Sequence, residues 1–292
     1  MSSLFWRKLS KMKKGLICGP WIGEFGWELF SWQSFCRSAS SRFDYTVVIG
    51  RTGHDYLYED FCDKYYSSDP PPEGVAESYK NSAVRSINEP QFVIRDLADI
   101  KGEEAVTKMT WTWLQPEKIG NPPYDHPHAT VEIPGIGLVK PNYALYRGSL
   151  DSSDEMVDIV IHARNRKIRS HENWSVEKWT ELVSTLGDNV SVGCIGTLGG
   201  AFLIEGARDY RGIPLKKATG LLRHAKCIVG PSSGPMHLAS LSGCPQVWWT
   251  DNPNKNFPRY TYMWNPFNTK SLMVLGKDPS VEEVKEKILQ IQ

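Results

Sequence analysis

The chain has 292 residues, 40% of them hydrophobic, and its 34 Lys and Arg residues against 33 Asp and Glu residues give a formal net charge of +1. This length allows two domains of ordinary size, each with its own hydrophobic core. The balanced charge excludes a general attraction to nucleic acid or to an acidic membrane, so any polyanionic ligand must be bound by a local group of cations.

Cysteine usage and hydropathy indicate a cytoplasmic protein. The six Cys residues form no CxxC pair, and Cys18, Cys194 and Cys227 fall in apolar stretches that predict strands. This pattern is typical of buried free thiols in a reducing compartment and not of disulfides or a zinc site. No apolar stretch reaches the roughly 18 residues that span a bilayer. We expect at most peripheral contact with the inner face of a membrane.

The first half opens with a basic tail and a strand. Residues 1–14 mix apolar and basic side chains, which favours a frayed tail over a short interfacial helix. The apolar stretch Gly15–Gly19 predicts a central strand, and the glycine-containing stretch Gly19–Gly26 predicts a loop. A helix should follow from about Trp27 to Ser38, because its large apolar residues recur at helical spacing.

The rest of this half has a weaker pattern. Tyr45–Gly50 predicts a second buried strand, and aromatic residues interleaved with acidic ones over His54–Tyr66 predict a helix with an aromatic inner face. Asp69–Gly74 carries three prolines and marks a break, and Phe92–Arg95 suggests a strand. The elements between residues 67 and 150 cannot be ordered from the sequence.

The second half repeats a strand and helix pattern. A Pro- and Gly-rich connection precedes the buried strand Val157–His162, a helix capped by Ser175 follows, and Val190–Gly196 is the next strand. This alternation continues to Thr250 and predicts a doubly wound parallel sheet. A last strand near residues 271–276 precedes a terminal helix that begins with the capping box Ser280–Glu283.

An anion site is predicted between the strand at Cys227 and the helix that Pro235 begins. Backbone N–H groups at a helix start point outward with the positive end of the helix dipole behind them. Ser232 and Ser233 add hydroxyl donors, and Gly234 lets a phosphate approach the backbone. An ordinary strand–helix turn with a serine cap explains the same residues equally well.

A second group of cations follows the strand that ends at His162. Arg164, Arg166 and Lys167 lie in a loop at the carboxyl end of a parallel strand, where open α/β sheets bind ligands. Guanidinium groups bind a diphosphate through paired hydrogen bonds, so Arg164 and Arg166 are the preferred clamps over a merely solvated charged face. Gly196 and Thr197, after the next strand, form a turn that can admit a nucleoside.

The sequence from Gly230 to Ser240, followed by Gly243–Val247, resembles the donor-binding signature of the ADP-heptose:LPS heptosyltransferase family. The resemblance implies an α/β protein of GT-B type, with two Rossmann-like domains whose parallel sheets face a cleft, and a loop that holds the diphosphate of a nucleotide sugar. His237 matches a histidine of that family, although a core histidine that caps a carbonyl is nearly as good an explanation. Ser232 replaces the aspartate that the family usually has.

The family also implies an acidic base directly after the first strand, which deprotonates the acceptor hydroxyl. This chain offers Glu24 in the loop and Glu28 at the helix start, whereas the register of the glycines places Trp27 at the family's acidic position. Glu24 is the preferred base because its loop is too glycine-rich to need a carboxylate for structure. Glu28 is equally explained as a carboxylate that stabilises a helix start.

These features predict a glycosyltransferase that takes its sugar from a nucleotide-diphosphate sugar, with no other cofactor. The chain lacks a P-loop, a GxGxxG motif after its first strand and any Asp-x-Asp pair, so we expect metal-independent transfer. The expected acceptor is a glycan, in surface-glycan synthesis. One alternative is transfer to hydroxymethylated DNA bases or another cytosolic acceptor, and the near-neutral charge of the chain disfavours DNA. The other alternative is a non-catalytic protein that binds a sugar nucleotide. The predicted domains are an acceptor-side domain at 15–150, a donor domain at 151–270, and a final strand and helix at 271–292 that cross back.

Overall fold

The computed structural model describes residues 14–21, 23–68, 89–101, 106, 108–119, 129–166 and 170–291. The chain divides into two compact units, Met1–Tyr143 and Ala144–Gln292, which we call unit 1 and unit 2. The predicted tail at 1–14, except its last residue, the predicted break at Asp69–Gly74 and Lys167 lie outside the described residues.

Unit 1 is built on a four-stranded parallel sheet in the order β3-β2-β1-β4. Its middle strands are almost wholly buried, as expected of a parallel sheet that is covered on both faces. The strands are β1 (Lys14–Cys18), β2 (Tyr45–Gly50), β3 (Lys64–Ser67) and β4 (Thr110–Leu114). A small antiparallel hairpin, β5 (Val131–Ile133) and β6 (Gly137–Val139), lies apart from this sheet.

The helix predicted after the first strand is confirmed, with one irregularity. It runs as α1 (Phe25–Trp27), a π-helical turn (Glu28–Trp32) and α2 (Gln33–Ser40). A π-helical turn inside a helix is rare and is frequent at functional sites. Two further helices complete the described part of unit 1, α3 (Glu89–Lys101) and α4 (Pro116–Ile119).

Two of the predicted elements of unit 1 are wrong. The segment His54–Tyr66, predicted as a helix, is a 3-10 turn at Asp55–Leu57 followed by β3. The backbone of β3 pairs with β2, and the Asp63 carboxylate, just before β3, accepts from the Thr46 N–H at 2.8 Å. The strand predicted at Phe92–Arg95 lies within α3. Val93 and Leu97, four residues apart, form the buried face of that helix and pack in the core of the first sheet.

Unit 2 contains a six-stranded parallel sheet in the order β9-β8-β7-β10-β11-β12. Its strands are β7 (Ile159–Ile161), β8 (Val192–Gly196), β9 (Arg208–Arg211), β10 (Cys227–Pro231), β11 (Gln246–Thr250) and β12 (Ser271–Leu275). Counted along the unit, this order is 3-2-1-4-5-6, the doubly wound arrangement that the sequence predicted. The strand order reverses between β7 and β10, which makes their carboxyl ends the expected ligand site.

The helices of unit 2 cover this sheet. They are α5 (Val176–Thr185), α6 (Leu215–His224), α7 (Gly234–Ser240), α8 (Pro253–Pro258), which continues into a π-helical turn (Arg259–Met263), and α9 (Val281–Ile291). The predicted cap of α5 is confirmed, because the Ser175 hydroxyl accepts from the Lys178 N–H at 3.3 Å.

The described part of the segment 271–292 packs on the sheet of its own unit, and its predicted crossing to the first domain stays a prediction. Its strand β12 pairs with β11, and Val284 and Ile288 of α9 belong to the same hydrophobic core as Ile159 and Val229. Burial of the apolar face of α9 against the second sheet explains this placement.

Cys18, Cys194 and Cys227 are free and buried, as the sequence predicted. None of the helices in the described ranges is both long enough and apolar enough to cross a membrane.

Candidate functional site

A buried hydrogen bond joins the two strands at the point where the order of the second sheet reverses. His162 directly follows β7, Ser233 follows β10, and the Ser233 hydroxyl lies 2.8 Å from His162 Nδ1. The two residues are only 5% and 9% exposed. Burial, followed by the positive charges of Arg164 and Arg166, lowers the pKa of His162 to about 3. The ring is therefore neutral near pH 7 and can donate one hydrogen bond and accept one.

Ser232, beside this pair, is held by an aromatic residue from another element. The hydroxyl of Tyr260, in the π-helical turn, donates to Ser232 Oγ at 2.8 Å. Tyr260 is itself fixed by stacking on Trp248 of β11 with ring centroids 4.2 Å apart, and burial raises the pKa of its hydroxyl. Ser232 accepts from Tyr260, so its own hydroxyl hydrogen remains to be donated.

His237 lies on the buried face of α7 within an aromatic cluster. Its ring centroid is 4.7 Å from that of Trp264 and 5.6 Å from that of Tyr260, and the residue is 5% exposed. Burial, together with the charge of Arg259, lowers the pKa of its ring to about 3. In this structure His237 is packed in the core of unit 2, and its predicted contact with the donor stays a prediction.

The cations of the predicted clamp have different surroundings. Arg164 is 1% exposed, and its guanidinium donates to Glu172 Oε2 at 2.8 Å. Arg164 is thus buried in an ion pair, and its predicted contact with the diphosphate stays a prediction. Arg166 is half-buried, and Asn173 Nδ2 donates to its carbonyl at 2.9 Å.

Gly196 and Thr197 lie at the same edge of the sheet as His162. Gly196 ends β8 with a φ of +138°, and an added Cβ would lie 3.1 Å from the His162 ring and 2.8 Å from Ala201. A side chain there would be strained and would press on the histidine. Thr197 is exposed in the turn that follows. The geometry thus places Gly196 beside the predicted donor site.

Unit 1 carries a second polar cluster, which we call the Glu28 cluster: Glu28, His54 and Tyr58. Glu28 is the first residue of the π-helical turn and is 0% exposed. His54 Nδ1 lies 2.7 Å from its Oε2 atom, and the Tyr58 hydroxyl donates to its Oε1 atom at 2.7 Å. Burial, followed by the negative charge of Glu28, raises the pKa of Tyr58. The Glu28 side chain has no exposed surface, and the role of base predicted for it stays a prediction.

Glu24, the preferred base in the sequence analysis, directly precedes α1 and is half-buried. Its carbonyl accepts from the Glu28 N–H at 3.1 Å, and its side chain makes no capping hydrogen bond to the helix. Its catalytic role stays a prediction.

Sequence reasoning missed four residues of these clusters: His54, Tyr58, Glu172 and Tyr260. Only His54 has a local signal, because it is a titratable residue in the loop directly after a buried strand. The other three meet their partners through pairings that no short sequence pattern encodes.

No protein-family model matches the chain. No curated protein matches it either. Similar solved structures include the ADP-heptose LPS heptosyltransferase II of E. coli, at 14% identity and a TM-score of 0.53 over 95% of this chain and 99% of that one. A glycosyl transferase family 9 protein from Veillonella parvula has 10% identity and a TM-score of 0.59 over 96% of this chain and 97% of that one. The E. coli heptosyltransferase WaaC with ADP has 13% identity and a TM-score of 0.57 over 96% of this chain and 100% of that one.

The chain has the GT-B fold. The predicted α/β class is confirmed, because both units carry parallel sheets and the GT-B structures match nearly the whole chain. Identities of 10 to 14% show the fold alone, so the activity must be inferred from the sites.

Proposed function

We propose that this protein is a glycosyltransferase that moves a sugar from a nucleotide-diphosphate sugar to an acceptor hydroxyl. The observation that carries the proposal is the His162–Ser233 hydrogen bond, which lies where the strand order of a GT-B sheet reverses. Open α/β sheets bind their ligands at this point. The similar structure of WaaC contains ADP, which supports a nucleoside diphosphate as the ligand of this fold.

The donor diphosphate is bound by groups that are small, polar and mostly neutral. The Ser232 hydroxyl, oriented by Tyr260, donates one hydrogen bond. Gly234, the first residue of α7, has no side chain that would keep a phosphate away from the backbone. Arg164, Arg166 and Lys167, in the loop after β7, supply the positive charge. The donor is a co-substrate, and the protein needs no other cofactor.

Transfer proceeds without a metal ion. Breaking the bond between the sugar and the diphosphate places negative charge on the leaving group, and hydrogen-bond donors and cations aimed at that charge lower the barrier. Within the described residues, no three His, Cys, Asp or Glu side chains come together in a way that could hold a metal ion.

The acceptor is the hydroxyl of a glycan in surface-glycan synthesis.

Calorimetry with ADP, UDP and GDP tests donor binding. Arg166→Ala should weaken binding by about 10- to 150-fold, because a hydrogen bond to a charged group contributes roughly 1.5–3 kcal/mol, and Ser232→Ala by about 5-fold. Arg223→Ala is the matched control, because Arg223 is an exposed cation in the last turn of α6, before β10 begins. Unchanged affinity in both site variants would contradict the proposed donor site.

Incubation with a panel of nucleotide sugars, with product detection by mass spectrometry, tests the reaction. Release of nucleoside diphosphate together with a glycosylated acceptor is the expected result. Tight binding of the nucleotide with neither transfer nor hydrolysis would refute the enzymatic function.

A further inference from the structure

The Glu28 cluster joins a carboxylate with no exposed surface to a histidine that is partly exposed. We propose that His54 is the general base of the transfer reaction and that Glu28 is its positioning residue. This inference rests on the proposed function, since it names the group in unit 1 that takes the proton from the acceptor hydroxyl. It replaces the two glutamates that the sequence offered for this role.

The hydrogen bonds fix the tautomer of the His54 ring. A carboxylate only accepts hydrogen bonds, so the 2.7 Å contact between Glu28 Oε2 and His54 Nδ1 requires a proton on Nδ1. The Tyr58 hydroxyl donates to the other carboxylate oxygen at 2.7 Å, so each oxygen of Glu28 accepts a hydrogen bond from its own donor. The neutral ring therefore carries its lone pair on Nε2, where it can accept a proton.

Burial separates the two roles. Glu28 has no exposed side-chain surface, whereas 15% of the His54 side chain is exposed. A carboxylate taken fully out of water costs free energy that a surface position would avoid, and two strong donors compensate it here. Only the histidine can meet an acceptor, and the edge of the Phe25 ring, with centroids 5.3 Å apart, keeps its plane in place.

The cluster lies at the carboxyl edge of the first sheet. Glu28 follows β1 and His54 follows β2, two neighbouring parallel strands, so both residues are at the carboxyl ends. Glu28 also begins the π-helical turn, an irregularity that is frequent at functional sites. Residues 28 and 54 thus converge on one edge from two separate strand ends.

The proposed step balances as follows. The acceptor oxygen attacks the anomeric carbon of the donor sugar while its proton moves to His54 Nε2. The new C–O bond forms as the bond to the diphosphate oxygen breaks, and the electron pair of that bond leaves with the nucleoside diphosphate. Glu28 stabilises the resulting imidazolium, which then returns its proton to solvent.

Glu28→Gln is the sharpest test, because glutamine can keep every hydrogen bond of the cluster. Its carbonyl accepts from Tyr58, and its amide donates to His54 Nδ1, which moves the ring proton to Nε2 and removes the base. We expect kcat to fall by about 10²- to 10⁴-fold, with unchanged affinity for the nucleoside diphosphate. Ring ¹⁵N NMR of the same variant should show the proton on Nε2 instead of Nδ1.

Two further variants separate this from a structural effect. His54→Asn keeps a donor for Glu28 but cannot take a proton, so it should lose transfer by the same factor while its melting temperature stays close to that of the wild type. Asp55→Asn is the matched control, because it removes an exposed carboxylate next to His54 without touching the ring proton, and it should retain full activity.

The outcomes are distinct. Full transfer by His54→Asn would overturn the inference, and loss of transfer in Glu24→Gln alone would return the role of base to Glu24. An Nε2 proton in the wild-type ring would also overturn it. If wild-type protein transfers no sugar from any donor, the proposed function fails, and the inference that rests on it fails as well, whereas the NMR result still decides the tautomer.

Discussion

Acid should destabilise unit 2, because two histidines are buried there in the neutral form. Burial lowers the pKa of both His162 and His237 to about 3, and the nearby cations Arg164 and Arg259 act in the same direction. In the unfolded chain each ring has a pKa near 6.5. Between these values the unfolded chain binds a proton at each site and the folded chain does not.

The free energy of unfolding should therefore fall as the pH falls from about 6.5 towards 3. Each buried histidine contributes about 1.4 kcal/mol per pH unit in this window. At pH 5 the loss is about 2 kcal/mol for each histidine and about 4 kcal/mol for both, a large part of the roughly 5–15 kcal/mol by which domains are stable. Hydrogen bonds from Ser191 and the charge of Lys226 lower the pKa of Asp158 to about 2, so its contribution is lost only at lower pH.

This loss is measured by urea unfolding of the full chain at pH 7.5, 6.5, 5.8 and 5.0. Hydrogen exchange of peptides from β7 and β10 at the same pH values assigns the loss to unit 2. His162→Asn is the diagnostic variant, because its amide can keep the hydrogen bond to Ser233 but does not titrate in this range. The slope of stability against pH should fall to about half in this variant. An unchanged slope would refute the assignment of acid sensitivity to His162.

Three other predictions concern the metal, a glycine contact and a buried arginine. Transfer should survive EDTA, and turnover that is lost in chelator and restored by Mn²⁺ would contradict a metal-free donor site. Gly148→Ala should lower the free energy of unfolding in urea by about 3 kcal/mol, because the added Cβ would lie 1.8 Å from the Lys216 carbonyl oxygen. The control Gly199→Ala should change it by less than about 0.5 kcal/mol, because an added Cβ there has nothing within 4 Å. Arg37→Leu should lower the free energy of unfolding by about 2–3 kcal/mol, because the buried guanidinium donates to both carboxylate oxygens of Asp60 at 2.7 and 3.1 Å. A loss below about 0.5 kcal/mol would show that water replaces these hydrogen bonds.

The second half of the chain could be predicted because its signals are local. Apolar stretches such as Ile159–Ile161 and Cys227–Pro231 each form a strand buried on both faces. Strand ends in such a sheet define the ligand edge, so Ser233 and Gly196 could be placed near the site from the sequence alone.

The first half resisted prediction because long-range contacts decide its elements. Residues 64–67 become a strand through pairing with β2, although their aromatic spacing suits a helix. The side chain of Glu28 turns inward because His54 and Tyr58, 26 and 30 residues further along, provide its hydrogen bonds. Helical periodicity does not distinguish this buried carboxylate from one that stabilises a helix start at the surface. The ion pair between Arg164 and Glu172 likewise depends on the folded shape of their loop, and no short sequence pattern predicts it.

The two strand-end histidines show how a partner determines what the same side chain can do. His162 is hydrogen-bonded to the neutral hydroxyl of Ser233, and burial, followed by the positive charges of Arg164 and Arg166, lowers the pKa of its ring. His54, in contrast, has its Nδ1 atom 2.7 Å from the carboxylate of Glu28. If the proposed function is right, the neutral surroundings of His162 suit a site for the donor, and the hydrogen bond from His54 to a carboxylate suits a residue that removes a proton.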